Sequence, residues 1–522
     1  MQGTGEGMAK ANPPIDKVRA LQRALYVAAK RNGRRKFPAL YDRIALPMVL
    51  SRAWQQVRRN KGAAGIDGET LKDIESYGVE RMLEELRGLL EEGRYRPQAA
   101  RRVYIPKPGR PGERRPLAIP RIRDRVLQTA ARLVLEPIFE ASFLPCSFGF
   151  RPKRHARQAL ECIRKEVNAG ARWVVEIDFK DFFGSLDPDF LLALVARRVS
   201  DRRVLRLIRQ WMKVGVMEDG VAISASTGVP QGGAISPLLS NVYGHALDAL
   251  WAKESSHLGS IVRYADDAVI LCRSEADAQQ AYQWLQRTAQ ALKLVLHPEK
   301  TRIVDLRYGA NGFDFLGFHL HLVRSWKYGK WYCQRWPSGR AMAAIRAKVK
   351  ATTAPRSRLK QPIGNLVAEL NPVLRGWCNY FRWGNSAKKF SQVDAYVWER
   401  LALFDSKKRQ NAGRRRGEEH AYAWATGLGV YRLSGTIRYT QSATVRLLHH
   451  LPTALGSLAV VACLGGLRHG AQTPASNRKD VMRGLRVLPL SVLLAVAFFG
   501  APRNEITALT WIRRPSSKDC AY

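Results

Sequence analysis

Acidic residues are scarce in this sequence. Against 86 lysines and arginines stand 44 aspartates and glutamates, a formal net charge of +42 over 522 residues. Such an excess repels itself in a compact chain and makes physical sense beside a polyanion, most commonly nucleic acid. A basic membrane-surface protein is the rival, and an acidic small-molecule enzyme is disfavoured. Paired cysteines are missing too. The seven (146, 162, 272, 333, 378, 463, 520) are odd in number and never spaced as Cys-x-x-Cys, which argues against a disulfide framework and a zinc ribbon and fits a reducing compartment. The opening MQGTGEGMAKANPPIDKV has no apolar core and does not read as a secretory signal. Long apolar runs are lacking as well: Leu451–Leu467 and Val487–Pro502 are uncharged for 17 and 16 residues, contain proline and fall short of the ~20 a spanning helix needs. No stable membrane association is expected, and the location expected is cytoplasmic. Neither a His-Glu-x-x-His pair nor a Walker loop occurs, and His449-His450 has no metal-binding companion.

What is present is enough for several domains, with 46% apolar residues ruling out a wholly disordered chain. Residues 15–59 read as basic helices broken at Pro38 and Pro47. A loop, Asn60–Gly68, precedes a helix with an acidic face carrying Glu80, Glu84, Glu85, Glu91 and Glu92. Arg101–Pro120 reads as a β-hairpin around a Pro/Gly turn, and a helix over about 124–139 follows. Trp173–Asp178 is a buried strand ending on an acid, and Ile261–Cys272 is a hairpin with Ala265-Asp266-Asp267-Ala268 at its tip. Helices rich in Arg, Lys and Trp are expected over 340–410, then a polar connector with a short β-like ending at Val430–Leu433.

One aspartate in a turn is ordinarily a local hydrogen-bonding residue. Two adjacent ones at an apolar tip repel each other, and burial raises the cost of ionising both. With Asp178 also ending a buried strand, the three can converge on hard divalent cations, which take oxygen ligands and leave room for substrate phosphates. Two such ions serve in-line phosphoryl displacement, the chemistry of nucleotidyl transfer.

Tyr264-Ala265-Asp266-Asp267 resembles the palm signature of reverse transcriptases, and Pro230-Gln231-Gly232-Gly233 through Pro237-Leu238-Leu239 resembles its group II intron version. In order along the chain, Asn60–Gly68, Ile105-Pro106-Lys107-Pro108-Gly109 with Arg115-Pro116-Leu117-Ala118-Ile119-Pro120, Ser147–Pro152, His297–Thr301 and Phe313–Phe318 resemble the other blocks of the group II intron reverse transcriptase/maturase family. The resemblance implies an α+β right-hand polymerase, fingers and palm with antiparallel sheet, followed by a helical thumb/maturase domain. The divisions expected are a basic extension (1–59), fingers (60–175), palm (176–325), thumb/maturase (326–440) and a tail (441–522) with no His-Asn-His endonuclease. It implies Asp178, Asp266 and Asp267 as catalytic ligands of two Mg²⁺ ions. Lys107 and Arg115 would grip the incoming triphosphate, and Gln231 and Gly232 would lie against the nascent base pair. Phe183 would gate the ribose 2′-hydroxyl, with core packing the alternative, and Lys300 would act near the pyrophosphate, with a solvated lysine the alternative.

The helix around residues 370–383 mixes aromatics with cations and resembles the intron-binding segment, which implies Arg375, Trp377, Tyr380, Arg382, Lys388 and Lys389 as RNA contacts. As an amphipathic helix alone it would point its aromatics into a core. The partners implied are group II intron RNA, an RNA template with a DNA primer, and dNTPs; the activity implied is RNA-directed DNA synthesis with assistance to intron splicing and retromobility. The alternatives are a splicing cofactor without polymerase activity, or a retron, diversity-generating or CRISPR-linked reverse transcriptase.

Overall fold

The computed structural model describes residues 16–106, 112–218, 221–223, 228, 231–409 and 424–438. The chain divides into two units, 1–439 and 440–522, and the second lies wholly outside the described residues, as do both uncharged runs and His449-His450.

Eleven strands are described: β1 (Ala100–Pro106), β2 (Arg114–Ile119), β3 (Trp173–Ile177), β4 (Val216–Glu218), β5 (Val221–Ile223), β6 (Ser260–Tyr264), β7 (Asp267–Cys272), β8 (Arg302–Asp305), β9 (Gly312–Phe315), β10 (Phe318–Arg324) and β11 (Trp331–Pro337). They form three sheets, ordered β2-β1-β4-β5, β6-β7-β3-β8 and β11-β10-β9. Every pairing is antiparallel except β1 with β4.

The β6-β7-β3-β8 sheet is buried on both faces, which is why its strands read as continuous apolar runs. Side chains alternate with period two. Val175, Ile177, Ile261 and Ile270 face a core made with the helices Pro47–Arg59, Ile122–Glu140, Ser236–Glu254 and Glu275–Ala291. Val174, Val262, Val269 and Leu271 face a second core, shared with the helix Ala156–Asn168, the β9–β11 sheet and the helices Gly339–Thr353, Ile363–Phe381 and Ala387–Lys408. The strand ends therefore sit between two packed layers and cannot drift.

Local chemistry sets the boundaries. Pro47 begins its helix at the first turn, where its missing N–H costs nothing. Thr70 with Asp73 and Ser274 with Asp277 form reciprocal capping boxes. The acidic stretch splits into two helices, Leu71–Tyr77 and Val79–Glu91, at Gly78, whose φ is +106°. One expectation fails: Val430–Leu433 forms no strand. Its backbone donors are taken by helix side chains instead, Tyr431 N–H donating to Asn371 Oδ1 (2.7 Å) and Leu433 N–H to Asp394 Oδ1 (2.9 Å).

Candidate active site

The β6–β7 hairpin closes on the pair Tyr264↔Asp267, leaving Ala265 and Asp266 as a two-residue tip. Ala265 has φ +59°, a left-handed conformation that a side-chain-bearing residue adopts only when its surroundings impose it. On the neighbouring strand, the register Ile177↔Ala268 carries Asp178 alongside Asp267. The loop after the Glu275–Ala291 helix wraps this strand end: the Asp178 carbonyl accepts from His297 N–H at 2.8 Å and from the Thr301 hydroxyl at 3.2 Å. Lys300 Nζ stands 3.3 Å from the Asp178 carboxylate.

The carboxylates feel one another. Burial pushes the Asp267 carboxyl up to about 6, with the charges of Asp266 and Asp178 adding to it and those of Arg115 and Arg340 opposing. Asp267 keeps an edge open to solvent while protein packs closely around its carboxyl. Asp266 is raised in the same direction, chiefly by burial, and Arg115 again opposes. Three acids and the β2 arginine thus share one electrostatic site. Among the described residues, no three acidic, imidazole or thiol groups close to the distances of a shared ion. Carboxylate oxygens are nonetheless the donor set that Mg²⁺ prefers, and it needs few carboxylates when phosphates and water complete the shell.

Sequence reasoning missed what holds the tip in place. Arg263, one residue before Tyr264, is 1% exposed and commits all five guanidinium donors. Nε and Nη2 make a fork to Asp248 (2.8 and 2.6 Å), Nη2 also donates to Ser147 Oγ (2.9 Å), and Nη1 donates to Asn241 Oδ1 (3.3 Å) and the Ala265 carbonyl (2.9 Å). Gly149 packs on the tip so closely that a β-carbon there would overlap Ala265 N and lie 2.8 Å from Tyr264 C. Asn241 Nδ2 donates to the Gly149 carbonyl at 2.8 Å and fastens the two segments. The available signal was an arginine inside an apolar strand and an aspartate inside an apolar helix.

The other expected residues divide. Arg115 faces the carboxylates, while Lys107 lies outside the described residues. Gln231 and Gly232 are pinned to β2: Ala118 N–H donates to the Gln231 carbonyl at 2.7 Å, and the close approach that Gly232 permits is to the Ala118 carbonyl. Phe183 is half-buried against the core, edge-on to Phe182 at 5.9 Å.

The expected RNA contacts do not act as one group. Trp377 turns inward, packing on Phe381 (4.6 Å) and Phe390 (5.6 Å), because it shares a helix stripe with Leu370, Leu374 and Phe381. Arg382 is a strut, donating to the Thr436 carbonyl (3.0 Å) and Asn379 Oδ1 (2.9 Å). Tyr380 belongs to the cleft: its hydroxyl donates to the Leu316 carbonyl at 2.9 Å, and its phenol is pushed up to about 12 by burial, then by Tyr264 and Asp267. Arg375 lies over the Tyr431 ring at 5.3 Å and is exposed; Lys388 is exposed and Lys389 half-exposed.

Comparison with known proteins matches residues 105–320 to the reverse transcriptase (RNA-dependent DNA polymerase) family and residues 342–422 to the group II intron maturase-specific domain. Protein YkfC of Escherichia coli is 33% identical over 60% of this chain and 90% of its own length. The chain belongs to the group II intron reverse transcriptase and maturase family. The group II intron-encoded protein LtrA of Lactococcus lactis is 37% identical over 41% of this chain, a match spanning 35% of LtrA. A solved partial Cas6-RT-Cas1–Cas2 complex is 28% identical over 48% of this chain and 41% of its own, at a TM-score of 0.31, too low to carry an argument. The family membership makes this chain an RNA-directed DNA polymerase by class, joined to a maturase module, and the family works with divalent metal ions and RNA substrates. Among the described residues no helix is long and apolar enough to cross a membrane.

Proposed function

We propose that this chain copies RNA into DNA at the Asp178, Asp266, Asp267 cleft and binds its own group II intron RNA to assist splicing and retromobility. In this reading residues 60–175 act as fingers, 176–325 as palm and 326–440 as thumb and intron-binding segment, behind a basic extension over 1–59. The observation that carries it is the placement of Asp178 alongside Asp267 at the end of the β3–β7 pair, next to Asp266 at the hairpin tip, within the electrostatic reach of Arg115.

Asp178, Asp266 and Asp267 would hold two Mg²⁺ ions, which when bound activate a primer 3′-hydroxyl and stabilise the leaving oxygen. The oxygen–phosphorus bond to the dNTP α-phosphate forms as the bond to pyrophosphate breaks. Arg115 grips the triphosphate as a planar fork. Lys300, tethered to Asp178, offers a second cation at the departing phosphates. The Arg263 brace holds the tip carboxylates against their repulsion, so that positioning precedes substrate arrival. Arg375 and Lys388, which are exposed, and Lys389, which is half-exposed, are the cations of that segment left to meet intron phosphates. The compartment that fits this reading is the bacterial cytoplasm or nucleoid.

The test is primer extension on an RNA template with dNTPs and Mg²⁺. Asp266→Ala is expected to lose synthesis on the order of 10²–10³-fold or more, the scale of removing one electrostatic stabiliser, while RNA affinity stays unchanged. A folded, RNA-binding wild type that extends nothing would leave a splicing cofactor in place of a polymerase.

A further inference from the structure

Large aromatics are rarely left in water, yet the loop joining β10 to β11 exposes two, with a third near its strands. Trp326 is 92% exposed and Tyr328 68%, and Tyr308, in the turn beside β10, is 82% exposed. The loop is a built structure. Ser325 N–H donates to the Lys330 carbonyl (2.7 Å), Gly329 N–H to the Ser325 carbonyl (2.8 Å), and Arg324 Nε to the Gly329 carbonyl (3.2 Å). Lys327 and Lys330 flank the rings, Lys327 Nζ lying 5.4 Å from the Tyr328 centroid.

The strands continue the same chemistry. Their inward side chains, Leu320, Leu322 and Cys333, are core, whereas the cross-strand partners His319 and Trp336 lie on the other face with His321. Those three rings stand 5.4–5.7 Å from one another. The acid on this face, Asp314, is already bonded to His319 Nδ1 at 2.7 Å. From Phe315 to Ala368 the sequence has no Asp or Glu and eleven Lys or Arg.

We infer that the outer face of the β9–β11 sheet and its Ser325–Lys330 tip form a stacking platform for unpaired bases of RNA. Aromatic faces accept any base, and flanking cations meet the phosphates between them. A protein partner would favour an apolar patch depleted of lysine, which this is not. The seven residues of β10, at ~3.3 Å each, put the tip on the order of 20 Å from the Leu316–Gly317 turn where Tyr380 bonds. The platform is thus separate from the chemistry, and only the identification of its RNA as intron RNA rests on the proposed function.

The experiment uses the full-length chain and three labelled probes: an RNA stem-loop with a long unpaired loop, a fully paired RNA duplex, and a DNA oligomer of the loop sequence. The double variant Trp326→Ala/Tyr328→Ala is expected to bind the looped RNA about tenfold more weakly or worse, and the duplex as the wild type does. Lys327→Ala/Lys330→Ala is expected to weaken both and to flatten the dependence on salt by about 1–2 in log–log slope. Thermal melting establishes that both variants are folded. Unchanged looped-RNA affinity in the aromatic variant overturns the platform. So does a loss seen only with the DNA oligomer, or a shift in oligomeric state by light scattering with RNA affinity intact. Wild-type primer extension tests the proposed function separately: its failure would leave a platform that still discriminates the probes.

Discussion

Two hairpins of this chain handle charge in opposite ways. The β6–β7 tip gathers carboxylates, and a buried guanidinium bonded to Asp248, Asn241, Ser147 and the Ala265 carbonyl fixes it from beneath. The β10–β11 tip carries cations and aromatics into solvent and is held by its own loop hydrogen bonds. Groups of like charge stay close only when an ordered polar framework is arranged around them before any counter-charge arrives. A surface meeting a flexible polyanion has no such need, and its side chains can remain free.

The largest effect should come from breaking the framework. Arg263→Met leaves Asp248 buried without its partner, a change expected to cost about 3–5 kcal/mol in urea or thermal unfolding. Adding Asp248→Leu should restore part of that stability, because an apolar pair avoids desolvating two ions. Primer extension should not return with it, since the Ala265 carbonyl still lacks a donor. At the other hairpin, Lys327→Ala should change stability by less than about 0.5 kcal/mol. Comparable losses at both tips would erase the contrast.

Gly149→Ala sharpens the comparison from the side of geometry. The added methyl must move the backbone of Ala265, and a misplacement approaching 1 Å at reacting groups costs on the order of 10²-fold in rate. The expected result is a fall in kcat of tenfold or more. Gly339→Ala, where a β-carbon would meet nothing within 4 Å, should leave kcat alone and serves as the control. Equal kcat in both variants would mean that the tip tolerates displacement.

The β6–β7 tip was legible in the sequence because two continuous apolar runs leave little choice about where the turn between them falls, and adjacent acids in that turn are conspicuous. Strand β3 and the β1–β2 hairpin were legible for the same reason. Arg263 was not. An arginine after Ile261-Val262 reads as the polar side of a half-exposed strand, and only the arrival of Ser147, Asn241 and Asp248 from distant segments turns that position inward. The inward direction of Trp377 was legible from the spacing Leu370, Leu374, Trp377, Phe381, which on an amphipathic helix points the aromatics into a core; the resemblance to an intron-binding segment implied the opposite. The Val430–Leu433 ending looked like a strand because its residues favour one, and tertiary side-chain acceptors overrode that preference.

The smallest effect concerns what the β6–β7 tip sacrifices in stability by holding its acids together. Asp267 titrates at about 6 in the folded chain against a reference of 3.8. Between those values the folded state keeps a proton that the unfolded chain has lost, so stability falls as pH rises through that window and stays lowered above it. Removing the charge should therefore help the metal-free fold at neutral pH while abolishing synthesis. Asp267→Asn should melt a few degrees above the wild type at pH 7.5 without divalent ions, and the gap should shrink toward pH 4.5, where the wild-type carboxyl is already protonated. Added Mg²⁺ should narrow the gap at pH 7.5 by neutralising the wild-type carboxylates. A variant that melts below the wild type at pH 7.5 would show that Asp267 serves as a structural residue, and the electrostatic difference between the two hairpins would then lie in Arg263 alone.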